Sequence, residues 1–71
     1  MAMIKKIEIS DEYVTLGQFL KIADLIQSGG EAKAFILSNK ILVNGEEEDR
    51  RGRKLRKNDR IQIDRKVYEI C

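Results

Sequence analysis

The chain has 71 residues, 42% of them apolar and 37% charged, a net charge of +2, one cysteine, and no histidine, proline or tryptophan. So short a chain makes one domain with a small core, near the lower limit for folding without staples. Without histidine it has no imidazole for general-base, triad or zinc chemistry at neutral pH, and a lone cysteine forms no internal disulfide, which suits a reducing compartment.

In chain order, Ile4 to Ile9 alternates, with Ile7 and Ile9 on one side and Lys6 and Glu8 on the other, and predicts a short strand. Thr15-Leu16-Gly17-Gln18 has the form of a capping box, with Val14 and Phe19 at the staple positions around it. Leu16, Phe19, Leu20, Ala23 and Ile26 then share one helical face, which predicts a first helix running to about Ser28. Ser28-Gly29-Gly30-Glu31 repeats the capping pattern and starts a second helix with Ala32, Phe35 and Ile36 as its buried stripe. Asn39 is the expected left-handed closing residue.

The second half has strand character. Ile41-Leu42-Val43 leads into Asn44-Gly45, a strong hairpin signal because both central residues of a type I′ turn need positive φ. Ile61 to Ile63 and Val67 to Ile70 form a second hairpin around Asp64-Arg65-Lys66. Between the hairpins, Arg50 to Asn58 is too polar for core, with Leu55 as its one anchor. Glu46 to Asp49 is expected to be a solvated edge that discourages strand-to-strand aggregation, and no metal site. Tyr13 and Tyr68 could stack on bases, but four aromatic residues are few for a base-stacking sheet, so core or half-buried packing is the expected role of both.

Charge is divided along the chain. Up to Asp49 there are five lysines against nine acids, a balance of −4; from Arg50 onward nine basic residues face three acids, a balance of +6. Arg50, Arg51, Arg53, Lys54, Arg56 and Lys57 are six cations in eight residues, with Gly52 giving freedom in the middle. Arginine pairs its hydrogen bonds with phosphate oxygens and stacks on bases, and lysine adds less directional charge. Lys33 and Lys40, at the two ends of the second helix, can extend this surface. Gly29 and Gly30 leave the N-terminus of that helix uncovered, where a phosphate is favoured, but turn geometry is the stronger reading. The first ten residues lack the unbroken apolar stretch of a signal peptide, and no run is long enough to cross a bilayer, so a cytoplasmic protein without membrane partners is expected.

The order of helix, glycine turn, helix, Val-Asn-Gly-Glu, basic loop and closing strand resembles the S-four RNA-binding domain. The matching pieces are Leu16 to Lys21, Ser28 to Lys33, Ile41 to Glu46, and Lys57-Asn58-Asp59 before Ile61, so the match spans about residues 13 to 64. The chain is most similar to the stand-alone bacterial members of the YaaA and YbcJ type, whose basic loop looks like Arg50 to Arg56. It departs from the wider family at Gly29 and Ala34, where basic residues are common, in the acidic strand after the turn, and at Lys57-Asn58-Asp59, where Lys-Pro-Gly-Asp is common.

The resemblance implies an α+β fold over residues 1–71, two short helices packed on a small, mainly antiparallel sheet in what is called an alpha-L motif. It implies a monomeric, cofactor-free, non-enzymatic protein that grips structured RNA, ribosomal RNA above all, in ribosome assembly or maintenance. The implied RNA-binding residues are Arg50, Arg51, Arg53, Lys54, Arg56, Lys57, Lys33 and Lys40. The alternative is a module that docks an acidic protein with the same loop. A β-grasp sulfur carrier would end in Gly-Gly, which this chain does not, and DNA binding lacks a recognition helix.

Overall fold

The structure, a computed structural model, describes residues 4–71. Thr15 caps the first helix as its sequence demands: its hydroxyl accepts from the Gln18 N–H at 3.2 Å, and the Gln18 side chain accepts from the Thr15 N–H at 2.9 Å. The helix that follows, α1 (Leu16–Ile22), is one and a half turns shorter than predicted. Asp24 adopts φ +61°, the Leu25 N–H reaches back to the Leu20 carbonyl, and the Asp24 N–H to that of Lys21. These two bonds form a Schellman closure, and they stop the helix although Ala23 and Ile26 continue its apolar spacing. Both remain buried, delivered by the turn rather than by the helix.

A single 3₁₀ turn (Gly29–Glu31) precedes α2 (Ala32–Ser38). The Glu31 carboxylate accepts from the N–H groups of Gln27 and Ser28 at 2.7 and 3.3 Å, the return arm of the expected capping box. Asn39 does not close α2 in the left-handed region. Its φ is −130°, and its side-chain amide instead donates to the Phe35 carbonyl at 2.9 Å, capping the helix from outside.

Seven strands complete the described residues. β1 (Ile4–Ile7), β3 (Ile41–Val43), β4 (Glu46–Glu47), β6 (Arg60–Ile63) and β7 (Lys66–Ile70) form a five-stranded sheet in the order β1-β7-β6-β3-β4. The β1–β7 pair is parallel and the other three pairs are antiparallel, so the sheet is mixed and mainly antiparallel, as expected. β1 ends two residues earlier than predicted, although the Ile9 N–H still bonds the Cys71 carbonyl at 3.1 Å. Asn44 (φ +52°) and Gly45 (φ +87°) make the β3–β4 turn with both central residues at positive φ. The β6–β7 turn is tighter than expected, with Lys66 already paired opposite Ile63.

Strand alternation gives the sheet one covered face. Ile7, Ile41, Val43, Ile61, Ile63, Tyr68 and Ile70 point inward and join Leu16, Phe19, Leu20, Ala32 and Ile36 of the helices in one core. Each Leu, Ile or Phe fully buried there contributes roughly 1.5–3 kcal/mol. Phe19 meets Tyr68 edge to face, with ring centroids 5.4 Å apart. No helix among the described residues is long and apolar enough to cross a membrane.

The remaining two strands were not legible as a pair. β2 (Tyr13–Thr15) and β5 (Lys54–Arg56) form a separate antiparallel ribbon, with Tyr13 opposite Arg56, Val14 opposite Leu55, and Thr15 opposite Lys54. The basic stretch is therefore partly strand rather than all loop. Leu55, fully buried beside buried Val14, is the anchor foreseen for it.

Candidate nucleic-acid interface

The backbone of the basic stretch is sewn to the start of α1. The N–H groups of Leu16 and Gly17, which have no partner inside the helix, donate to the carbonyls of Arg53 and Arg51 at 2.8 and 2.9 Å. Gly17 marks the junction: a Cβ placed on it would be in ordinary van der Waals contact with both neighbours, 3.6 Å from the Ala32 Cβ and 3.7 Å from the Arg51 Cβ. One point thus gathers α1, the first residue of α2 and the basic loop. The carbonyls of Arg51 and Arg53 face α1, while the side chains of Arg51, Lys54, Arg56 and Lys57 are exposed.

The far end of the stretch is held as firmly. Asp59 accepts from the Arg56 N–H at 2.8 Å through one oxygen, and from the Asn44 side-chain amide at 3.1 Å through the other. The Asn44 side-chain oxygen in turn accepts from the Arg60 N–H at 3.0 Å. Asn58 between them sits at φ +79°, a left-handed position that asparagine tolerates better than most residues. That conformation accounts for an asparagine where glycine is the common residue of this turn.

The six cations divide into two groups. Glu48 stands beyond β4, its N–H bonded to the Ile41 carbonyl at 2.9 Å, so it shares the core face with Ile41. It is only 8% exposed, which corrects the expectation that the whole acidic run is solvated. The Arg50 Nε lies 3.0 Å from one of its oxygens and the Arg53 Nη1 lies 2.9 Å from the other. The Arg50 side-chain hydrogen bond, chiefly, holds the Glu48 carboxyl at about 2 rather than its ordinary 4.5; burial opposes this, while the Arg50 N–H and Arg53 add to it. Arg50 and Arg53 are therefore committed to an internal carboxylate.

The charged groups of Arg51, Lys54, Arg56 and Lys57 have no carboxylate within 4.0 Å among the described residues, and all four side chains are exposed. Gly52, Lys54, Arg56 and Asp59, with Arg50 and Arg53, line an open depression of about 600 Å³. Arg56 and Lys57 line a neighbouring hollow with Ser10, Asp11 and Glu12. Lys33 follows Ala32 at the junction with Arg51, so the start of α2 borders the cationic surface. Lys40 does not: it lies past the other end of α2, 3.9 Å from Glu47, in a groove with Glu48 and Asp49. Ahead of the glycine turn before α2, Glu31 accepts from the Gln27 and Ser28 N–H groups.

Tyr13 takes the half-buried form of the packing expected for it, not the core form. It is 39% exposed on the outer face of the β2–β5 ribbon, with the Lys54 ammonium 5.0 Å and the Arg56 guanidinium 6.0 Å from its ring centre. Its neighbour Val14 turns inward, and that alternation in Tyr-Val-Thr was the one local signal that could have placed it outside. Tyr68, by contrast, is buried as foreseen.

A family model described as the S4 domain matches residues 7–71. Over 62 residues, 87% of both chains, the sequence is 53% identical to a Bacillus subtilis (strain 168) protein named "Probable ribosome maturation protein RlbA".

Proposed function

The chain belongs to the S4 domain family, and from that premise we propose that it is a non-enzymatic, monomeric RNA-binding protein of the cytoplasm that grips structured RNA during ribosome assembly or maintenance. The observation that carries this reading is the row of unpaired cations, Arg51, Lys54, Arg56 and Lys57, displayed on a backbone pinned at both ends, with Lys33 beside it. A pinned row can match the fixed spacing of phosphates on a folded RNA without the ordering cost of a flexible tail. Arginine supplies paired hydrogen bonds to phosphate oxygens, and lysine supplies point charge. The relative named for ribosome maturation supports ribosomal RNA as the target class.

The acids mark the border of this surface. Glu46 and Glu47 are exposed on the edge strand, with Asp49 beyond them, and would repel a phosphate chain that strayed across β4. Crosslinking in cells, followed by sequencing of the attached RNA, tests the assignment. Ribosomal RNA reads concentrated in one region are expected. A chain that crosslinks to protein but to no RNA would overturn the reading and favour an acidic protein partner.

A further inference from the structure

We propose that the outer face of the β2–β5 ribbon is a stacking platform for one unpaired base, so that the RNA recognised here carries a bulged or looped-out nucleotide beside a paired stem. This rests on the RNA-binding reading above and adds the kind of RNA that the site takes.

The ribbon register puts Tyr13, Thr15, Lys54 and Arg56 on one face, because Val14 and Leu55 between them turn into the core. The tyrosine ring therefore stands outside, flanked by two cations, and its backbone is fixed by pairing rather than by a mobile loop. An exposed cation over a ring is worth roughly two- to fivefold in an equilibrium, whereas a base stacked on the same ring is worth from roughly fivefold to a hundredfold. A base can thus displace Lys54 from the ring, and the freed ammonium has the adjoining phosphate as its next partner. The exchange loses little and keeps the ring held in place beforehand.

The number of aromatics sets the size of the site. Phe19 and Tyr68 are in the core, and Phe35 is half-buried in a separate hollow with Leu25 and Tyr68. Tyr13 is thus the one aromatic on this surface, and a tract of single strand needs successive rings for successive bases. A paired stem offers phosphates but keeps its bases stacked on one another, so it leaves Tyr13 unused. One ring beside several free cations suits one extruded base next to a duplex backbone.

The test uses two RNA hairpins, one with a single unpaired adenine in its stem and one with that adenine deleted, titrated at one salt concentration. The wild-type chain should prefer the first by fivefold or more. Tyr13→Phe should keep that preference. Tyr13→Ala, and Tyr13→Leu, which retains an apolar strand residue without the π face, should abolish it while leaving affinity for the fully paired hairpin unchanged. Equal wild-type binding to both hairpins would overturn the proposal. So would equal weakening of both by the Ala and Leu variants, which would mean that Tyr13 only positions its neighbours. The alanine variant of Arg51, Lys54, Arg56 and Lys57 separates the two levels: if it binds both hairpins undiminished, the RNA-binding surface itself is misassigned and the platform falls with it.

Discussion

Replacing Arg51, Lys54, Arg56 and Lys57 together by alanine should lower affinity for a structured RNA by roughly two to three decades at about 150 mM salt. Each phosphate contact contributes a slope of about 0.7–0.9 in the logarithm of affinity against the logarithm of salt, and four contacts account for that loss through counterion release. Fold stability should change by no more than about 1 kcal/mol, because all four side chains are exposed and none is in an ion pair among the described residues. A filter-binding or anisotropy titration reads the first quantity and thermal unfolding the second. Arg50 and Arg53 are deliberately spared: removing them would strip a buried carboxylate of its partners and mix a folding defect with a binding defect.

Glu48→Gln should act in the opposite sense on the two readouts. The carboxylate is 8% exposed and accepts from Arg50 and Arg53, so its loss should cost the fold about 1–2 kcal/mol. The cost stays below that of breaking a fully buried pair because the surviving charges can reach water, Arg50 being 74% and Arg53 33% exposed. The pH dependence follows from the lowered carboxyl value of about 2 against 4.5 in an ordinary carboxylate. A depressed value in the folded state means that the unfolded chain takes up the proton first. The stabilisation is complete above about pH 4.5 and is lost as the pH falls toward 2. Chemical denaturation of the wild type should show that acid limb, and the Glu48→Gln variant should lack this contribution. For RNA, the variant frees two more arginines, and its salt slope should steepen by about 1.4–1.8. An unchanged slope would mean that Arg50 and Arg53 already touch phosphate while paired.

What the sequence made legible was local. The Thr15 and Gln18 capping box, the Asn44-Gly45 turn and the inward faces of β6 and β7 each depend on residues within a few positions of one another. The order of these pieces, taken with the resemblance, sufficed to name the family. The ribbon of β2 and β5 was hidden because it joins Tyr13 to Arg56 through strands only three residues long, too short to show a period. The end of α1 was misplaced because Ala23 and Ile26 are buried like helix residues while Asp24 has already left the helix.

The candidate site was legible as charge and not as geometry. Six clustered cations can be counted, but which of them are neutralised depends on a single acid among four in a row. Glu48 turns to the core face because it stands opposite Ile41, whereas Glu47, paired with Leu42, faces out. Lys33 and Lys40 looked equivalent at opposite ends of α2, yet Lys33 follows Ala32, which meets Arg51 around Gly17, whereas Lys40 lies 3.9 Å from Glu47. The exposure of Tyr13 followed from the same hidden ribbon.

The most direct measurement is the salt dependence of binding of the wild-type chain to a structured RNA between 50 and 200 mM. If Arg51, Lys54, Arg56, Lys57 and Lys33 each neutralise one phosphate, the logarithm of affinity should fall against the logarithm of salt with a slope of about −3.5 to −4.5. A slope near zero, with affinity unaltered by loss of the four exposed cations of the basic stretch, would contradict the assignment of this surface to RNA.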